Sequence, residues 1–260
     1  MTLDKLTDVL EYVKEITKEA GKIILEVYEK DFTIEYKDDM SPVTEADRRS
    51  NDYIVSSLSK KYPECAILAE ESKNDPERFK NDWCFIVDPL DGTKEFIKKN
   101  GEFTVNIALS YKGKPVLGVI GIPVTGELYY AVKGMGAFYE KDGHAEKIHV
   151  SSRTEDIRMV ISRSHKSDKL MQVIEKNGIK NFKSVGSAIK GCLVAKGEAE
   201  VYYRFNYTME WDTAAMQCIV EEAGGIFRQM DDSEMTYNRE NSLNEKGFYA
   251  INHPANKLII

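Results

Sequence analysis

The tightest constraint in the chain is the corner Asp88-Pro89-Leu90-Asp91-Gly92, which closes the apolar run Trp83 to Val87 and is followed, past Gly101, by FTVNIALSY. A run of that length reads as a buried strand with Asp88 at its carboxyl end. Proline has no backbone donor and cannot extend a central ladder, so the strand is expected to stop at Pro89, with the D-G pair turning the chain. Two acids are thereby fixed three residues apart on a rigid corner. From Thr93 the segment TKEFIKKN reads as a short helix whose first free N–H groups, on Gly92, Thr93 and Lys94, favour phosphate. Acids that hold hard cations beside donors that hold phosphoryl oxygens suit metal-assisted phosphoryl hydrolysis. Taken alone, the motif is equally an ordinary turn with solvated acids. Phe103, Val105, Ile107, Leu109 and Tyr111 then alternate with Thr104, Asn106, Ala108 and Ser110, which predicts a half-buried strand.

Two further acid positions sit at element ends. Val43-Thr44-Glu45-Ala46-Asp47 opens a helix expected to run to about Lys61, and Thr44 with Asp47 fits a capping box. The functional alternative has Asp47, on the first turn, facing a site. Cys65 to Ala69 is a short apolar strand closed by Glu70 and Glu71, of which alternation lets at most one look into a site. Near the carboxyl end, Trp211-Asp212-Thr213 starts the last helix, where an acid also complements the helix dipole.

The rest is scaffold. Leu6, Val9, Leu10, Val13, Ile16, Ala20, Ile23 and Val27 recur at helical spacing and predict a helix over 3–29. Strands are expected at 32–36, 116–122, 127–132 and beyond, so that residues 1–150 form two helices on an antiparallel sheet. From Arg158 strands and helices alternate, which predicts a second, α/β domain over 151–260.

With 260 residues, a net charge of −7 and a pI near 5.3, the chain is a soluble globular protein poorly suited to long nucleic acid. A small anionic substrate remains compatible, because bound cations reverse the local field. Cys65, Cys84, Cys192 and Cys218 form no C-x-x-C pair and read as buried thiols of a reducing, cytoplasmic setting. No signal peptide or membrane-spanning run is expected, and monomer and homodimer both stay open. Peripheral association with the inner membrane surface is a further option, for which no basic amphipathic segment argues.

In series, Asp47, Glu70-Glu71, D88-P-L-D-G-T93 and W211-D-T-A-A215 resemble the inositol monophosphatase superfamily of magnesium-dependent, lithium-sensitive phosphatases over essentially the whole chain. D-P-L-D-G-T-K-E-F followed by N-G-E-F-T-V-N-I-A-L is most similar to its 3'(2'),5'-bisphosphate nucleotidases of the CysQ type. Inositol phosphatases tend to have T-x-N-F where this chain has Thr93-Lys94-Glu95-Phe96. The resemblance implies an α+β and α/β architecture, a two-domain layered αβαβα sandwich. It implies two or three Mg²⁺ ions: one on Glu70, Asp88 and the Leu90 carbonyl, a second on Asp88, Asp91 and Asp212, and a weaker third near Asp47. Glu70 and Thr93, with Asp47, would serve the attacking water. Glu70, Leu90, Asp91, Gly92, Thr93, Ser162, His165, Gly186, Lys190 and Asp212 would contact substrate. That substrate would be adenosine 3',5'-bisphosphate, cleaved to AMP and phosphate, with the related phosphosulfate as a second. An adenine needs a flat or apolar wall and a second phosphate needs cations, for which Lys190 and Arg204 are candidates. An inositol or sugar phosphatase with the same metals is the first alternative, and a catalytically silent binding protein the second. The loop between Glu70 and Asp88 is shorter than in the inositol phosphatases, so its side of the cleft should differ in outline.

Overall fold

The computed structural model describes Thr2 and residues 5–37, 40–164 and 167–260. The amphipathic first segment forms α1 (Leu6–Tyr28), whose apolar stripe is buried with Ile24, rather than Ile23, at its centre. A small hairpin of β1 (Ile34–Tyr36) and β2 (Pro42–Thr44) leads into α2 (Glu45–Lys61). Strands β3 (Ala66–Ala69), β4 (Trp83–Asp91), β5 (Thr104–Tyr111), β6 (Lys114–Ile122), β7 (Glu127–Val132), β8 (Gly136–Lys141) and β9 (His144–Ile148) form one seven-stranded sheet in chain order. All its pairings are antiparallel except β3 with β4, which is parallel and departs from the purely antiparallel expectation. The 3-10 helix Pro76–Lys80 makes that parallel crossover possible within a short connection.

Two expectations for the central strands are corrected. β4 does not stop at Pro89 but runs on to Asp91, with a register shift against β5 between Asp88 and Asp91. Its parallel partner β3 ends opposite Val87, so the missing Pro89 donor interrupts no ladder, and the irregularity absorbs the corner. β5 is buried on both faces rather than half-buried. Its apolar face meets α1 and α2, and its polar face lies under the last helix. There Thr104 donates to Asn106, at 2.9 Å, and Ser110 to the Cys84 carbonyl, at 3.1 Å, which makes the burial of small polar residues tolerable.

The remaining chain builds a second sheet. Its order is β11 (Asn181–Val185), β10 (Arg158–Ser162), β12 (Val201–Arg204), β16 (Phe248–Ile251), β14 (Ile226–Gln229). β10 pairs parallel to β11 and β12, and β16 antiparallel to β12 and β14. Helices α4 (Asp168–Lys176), α5 (Ile189–Ala195) and α6 (Glu210–Glu222) accompany it, and a short ladder joins β13 (Thr208–Met209) to β15 (Leu243–Asn244). Three buried clusters reveal the layering. One joins α1 and α2 to the outer face of the large sheet, and a second joins that sheet's inner face through α5 and α6 to the second sheet. The third seats α4 on the far side. The order is α, β, α, β, α.

Helix α6 is the hinge between the sheets, and a glycine sets how closely it lies on the first. An alanine Cβ at Gly118 of β6 would stand 2.6 Å from the Ala215 carbonyl oxygen. Backbone cannot yield as a side chain tip can, so Gly118→Ala is expected to destabilise by about 2–3 kcal/mol. In a thermal scan this reads as a fall in Tm of roughly 4–12 °C. An unchanged Tm would show that α6 shifts freely over the sheet.

Candidate active site

Each acid of the site comes from an element start or end, and each uses one oxygen to satisfy local backbone or side-chain donors. At the start of α2, Thr44 caps the helix, its hydroxyl accepting from the Ala46 amide at 3.2 Å. One oxygen of Asp47 accepts from the Thr44 amide at 2.8 Å and hydroxyl at 2.6 Å. The capping box is therefore present. The other Asp47 oxygen accepts from the Thr93 hydroxyl at 3.0 Å, so capping and a place in the site coexist. Asp88 accepts from the Leu90 amide at 3.1 Å, and Ser50 of α2 donates to the Pro89 carbonyl at 2.8 Å, pinning the corner from behind. Asp91 accepts from the Asn106 side chain at 3.4 Å. Asp212 mirrors Asp47: it accepts from the Met209 amide at 2.6 Å as the acid of its own helix's first turn.

This leaves Asp88 and Asp91, and the sequence-distant Asp212, with one carboxylate oxygen each within 4.8 Å of the others. Burial first, and then the negative charges of Glu70, Asp91 and Asp212, push the Asp88 carboxyl well above the usual range. Burial likewise raises Asp91, against the opposing pull of Lys190, and carries Asp212 up to about 7 with help from Asp91. The donor set is all oxygen and carries uncompensated charge in low dielectric, which fits a hard divalent cation.

Glu70 stands beside this trio. Its carboxylate accepts from the Lys37 ammonium at 2.8 Å, and Lys37 also bonds Glu71. Burial nevertheless takes the Glu70 carboxyl up to about 7, with the Lys37 charge acting against it. Both acids meet one lysine because β3 ends at Ala69 and Glu70-Glu71 lie in a turn, and of the two only Glu70 lines the site's cavity. Lys37 itself was not anticipated, since it lies in a polar loop with no distinguishing pattern.

A cavity of about 510 Å³ joins these groups. Glu70, Asp91, Gly92, Thr93, Ser162, Lys190 and Asp212 line it, as seven of the ten expected substrate contacts. Gly92 takes φ 96°, a left-handed turn that opens α3 (Thr93–Ile97). Leu90 places its side chain in the core, leaving only its backbone to the site. The Gly186 amide donates to Glu102 at 2.7 Å, and its neighbour Ser187, at φ 45°, lines the cavity instead. His165 lies outside the described residues. The opposite wall is apolar and aromatic, with Tyr202, Trp211, Met216 and Phe248. Lys190 is buried there, donating to the Val185 carbonyl at 3.2 Å and to that of Ser187, and burial lowers its pKa to about 8. Arg204 Nε and Ser187 Oγ are buried on this wall without a partner. Ser187 and the aromatic wall carried no sequence signal separable from core packing.

Residues 5–257 match the inositol monophosphatase family, and the chain belongs to that family. It is 42% identical over 245 residues to a 3'(2'),5'-bisphosphate nucleotidase CysQ of Salmonella typhimurium, covering 92% of this chain and 98% of the relative. The crystal structure of CysQ from Bacteroides thetaiotaomicron superposes with a TM-score of 0.81 at 39% identity, over 94% of this chain and 97% of that one. An IMPase from Thermotoga maritima gives the same TM-score, 0.81, at 28% identity over 94% and 92%. The layered α+β architecture is that of the family. No helix among the described residues is long and apolar enough to cross a membrane.

The raised carboxyls make a signed prediction. Their folded pKa values exceed the unfolded values of about 4, so without cations the native protein binds more protons than the unfolded chain between about pH 4 and 7. The stability they contribute is present below that window and lost as pH rises through about 7. In chelator, the urea midpoint of the wild type is expected to fall between pH 5.5 and 8, and Asp88→Asn to flatten that fall. Equal slopes in both proteins would show that the cluster ionises without penalty.

Proposed function

We propose that the chain is a magnesium-dependent 3'(2'),5'-bisphosphate nucleotidase that hydrolyses adenosine 3',5'-bisphosphate to AMP and phosphate. The observation that carries this reading is that two of the clustered acids, Asp91 and Asp212, line one cavity together with aromatic and cationic side chains. The relatives named as bisphosphate nucleotidases support it over most of the chain. Family members are metal-dependent phosphatases, and here Asp88, Asp91 and Asp212, with Glu70 and the Leu90 carbonyl, would hold two or three Mg²⁺ ions. Bound there, Mg²⁺ supplies positive charge that acidifies water and neutralises the leaving oxygen.

The chain's own groups orient the reaction. The Thr93 hydroxyl hydrogen is engaged by Asp47, so its lone pairs face the cleft and accept from the attacking water, whose second acceptor is Glu70. Amides of Gly92 and Thr93 would hold the phosphoryl oxygens of the 3' ester. Water attacks phosphorus, the P–O bond to the ribose breaks, and the ribose oxygen leaves with a proton. On the opposite wall, Lys190 and Arg204 would take the second phosphate, while Tyr202, Trp211 and Phe248 offer flat apolar surface to adenine. The division into domains 1–150 and 151–260 belongs to the same reading, with most metal ligands on the first, and α6 with Asp212 and the nucleotide-binding lining from the second.

Phosphate release from adenosine 3',5'-bisphosphate is expected to exceed that from inositol 1-phosphate at equal concentration, to require Mg²⁺ and to be suppressed by Li⁺. Asp88→Asn should lower kcat by roughly a thousandfold, the scale of several kcal/mol of lost charge stabilisation. Arg204→Met should raise KM for the bisphosphate by roughly 10- to 100-fold, as for one hydrogen bond to a charged group, and leave inositol 1-phosphate turnover unchanged. Equal turnover of both substrates would sink the nucleotidase assignment and keep the phosphatase; no turnover of either would favour a silent binding protein.

A further inference from the structure

We infer that Arg78 is a positioning residue that holds Asp212 in the metal-free site against the repulsion of the site's own carboxylates. Arg78 lies in the 3-10 helix between β3, which Glu70 follows, and β4, which carries Asp88 and Asp91. It is 3% exposed, and its guanidinium leaves its own half of the chain. It donates to Asn74 at 2.8 Å, to the Asn238 side chain at 2.6 Å and to the Arg239 carbonyl at 2.7 Å. Asn238 answers by donating to the Arg78 carbonyl at 3.0 Å. Among the described residues, no other residue of that connection makes so many charged, directional bonds to the carboxyl-terminal half.

From Asn238 and Arg239 the bonds run straight to the start of α6. Both backbone amides donate to the fully buried Glu210 carboxylate, at 2.6 and 3.0 Å, and the Arg239 guanidinium adds a third bond at 3.1 Å. Arg239 also donates to Asn244 at 2.6 Å, and Asn244 donates to the Met209 carbonyl at 2.8 Å. Met209 is the residue whose amide orients Asp212. Thus the peptide that aims Asp212 is fixed on one side by Glu210 and on the other by Asn244, and both hang on the loop that Arg78 grips.

The physical need for such a grip follows from the charges. Asp88, Asp91 and Asp212 converge within 4.8 Å, and their mutual repulsion drives α6 away from β4 whenever no cation is bound. Asp88 and Asp91 share one rigid strand end and cannot separate, so Asp212 is the member free to retreat. A clamp that prevents the retreat preorganises the site, and preorganisation appears as affinity for the cation. Buried planar guanidinium suits this task, because its donors are fixed in direction and it stays charged at any working pH.

The inference rests on the metal-centre reading above, and the test separates the two. Mg²⁺ binding is measured by calorimetry for wild type, Arg78→Met, Asp212→Asn and the double variant, with urea midpoints in chelator for each. Arg78→Met is expected to weaken Mg²⁺ binding by about tenfold, as loss of a ligand's supporting partner does. In the Asp212→Asn background the same change should move binding by less than about twofold, while its stability cost stays the same. Equal weakening in both backgrounds, or no weakening with stability lost, would show a merely structural residue and overturn the inference. If Arg78→Met does not fold, Arg239→Met takes its place in the cycle, since that side chain is partly exposed. Wild type that binds no Mg²⁺ overturns the metal centre and the clamp together; wild type that binds Mg²⁺ but spares adenosine 3',5'-bisphosphate overturns only the substrate assignment.

Discussion

Electrostatic repulsion among buried carboxylates is the constraint on which the structure depends. Asp88, Asp91 and Asp212 would lower their energy by moving apart or into water, and the fold permits neither. Their convergence holds because each is tied to backbone that has other reasons to be where it is. Asp88 and Asp91 belong to the end of a strand buried on both sides, and Asp212 and Asp47 cap helices that the sheets hold from below. The same hydrogen bonds that begin a helix or close a strand therefore aim an acid. This economy explains why capping and catalytic readings of one residue are compatible: a carboxylate has two oxygens, and the helix needs only one.

The two walls of the cavity differ in kind. The acidic wall comes from β4, α2, α3 and the start of α6 and is crowded with polar bonds. The remaining lining comes from the second sheet, α5 and α6, and sets aromatic side chains around Lys190, which bonds two carbonyls, and Arg204, whose Nε has no partner. Buried Arg204 Nε and Ser187 Oγ stand without acceptor or donor, a condition a folded protein tolerates where a ligand completes it. Lys190 is less exposed still, and its lowered pKa reflects a charge kept out of water beside Arg204. An anion placed there would reverse that shift. Under the proposed function this arrangement would place chemistry on one sheet's edge and recognition on the other's, with α6 serving both.

Much of this was legible in the sequence, for identifiable reasons. Helices α1 and α2 announce themselves by periodicity and a capping pair, and the site's acids sit at or near element ends that turn residues or composition mark. What escaped depended on contacts distant in sequence. Pro89 reads as a strand stop because proline lacks a donor, yet the strand continues since its parallel neighbour has already ended. FTVNIALSY reads as half-buried because its second face is polar, yet α6, a hundred residues later, covers that face and the small side chains bond one another. Glu70 and Glu71 follow the strand end at Ala69, and only Glu70 lines the cavity, while the lysine they share is invisible in the sequence. Lys37 and Arg78 sit in loops where a lysine or arginine is ordinarily solvated, and only the fold shows their partners.

The short connection between Glu70 and Asp88 shows how such loops acquire weight. A long loop there would leave the cleft's outer edge to itself. A short one must cross from β3 to β4 within one 3-10 turn, which forces Arg78 inward against the carboxyl-terminal half rather than into solvent. Burying a guanidinium is unfavourable unless its nitrogens are bonded; Asn74 takes one of them locally, and Asn238 and the Arg239 carbonyl take the other two only when the loop at 238–244 is docked. Undocking would therefore strand the Arg78 charge and the Glu210 charge together. Because the Arg78 charge takes two of its partners, Asn238 and Arg239, from the opposite half of the chain, partial separation of the halves strands that charge and is more costly than either the closed or the unfolded state. That cooperativity is what a site assembled from five elements, and strained by its own charge, requires.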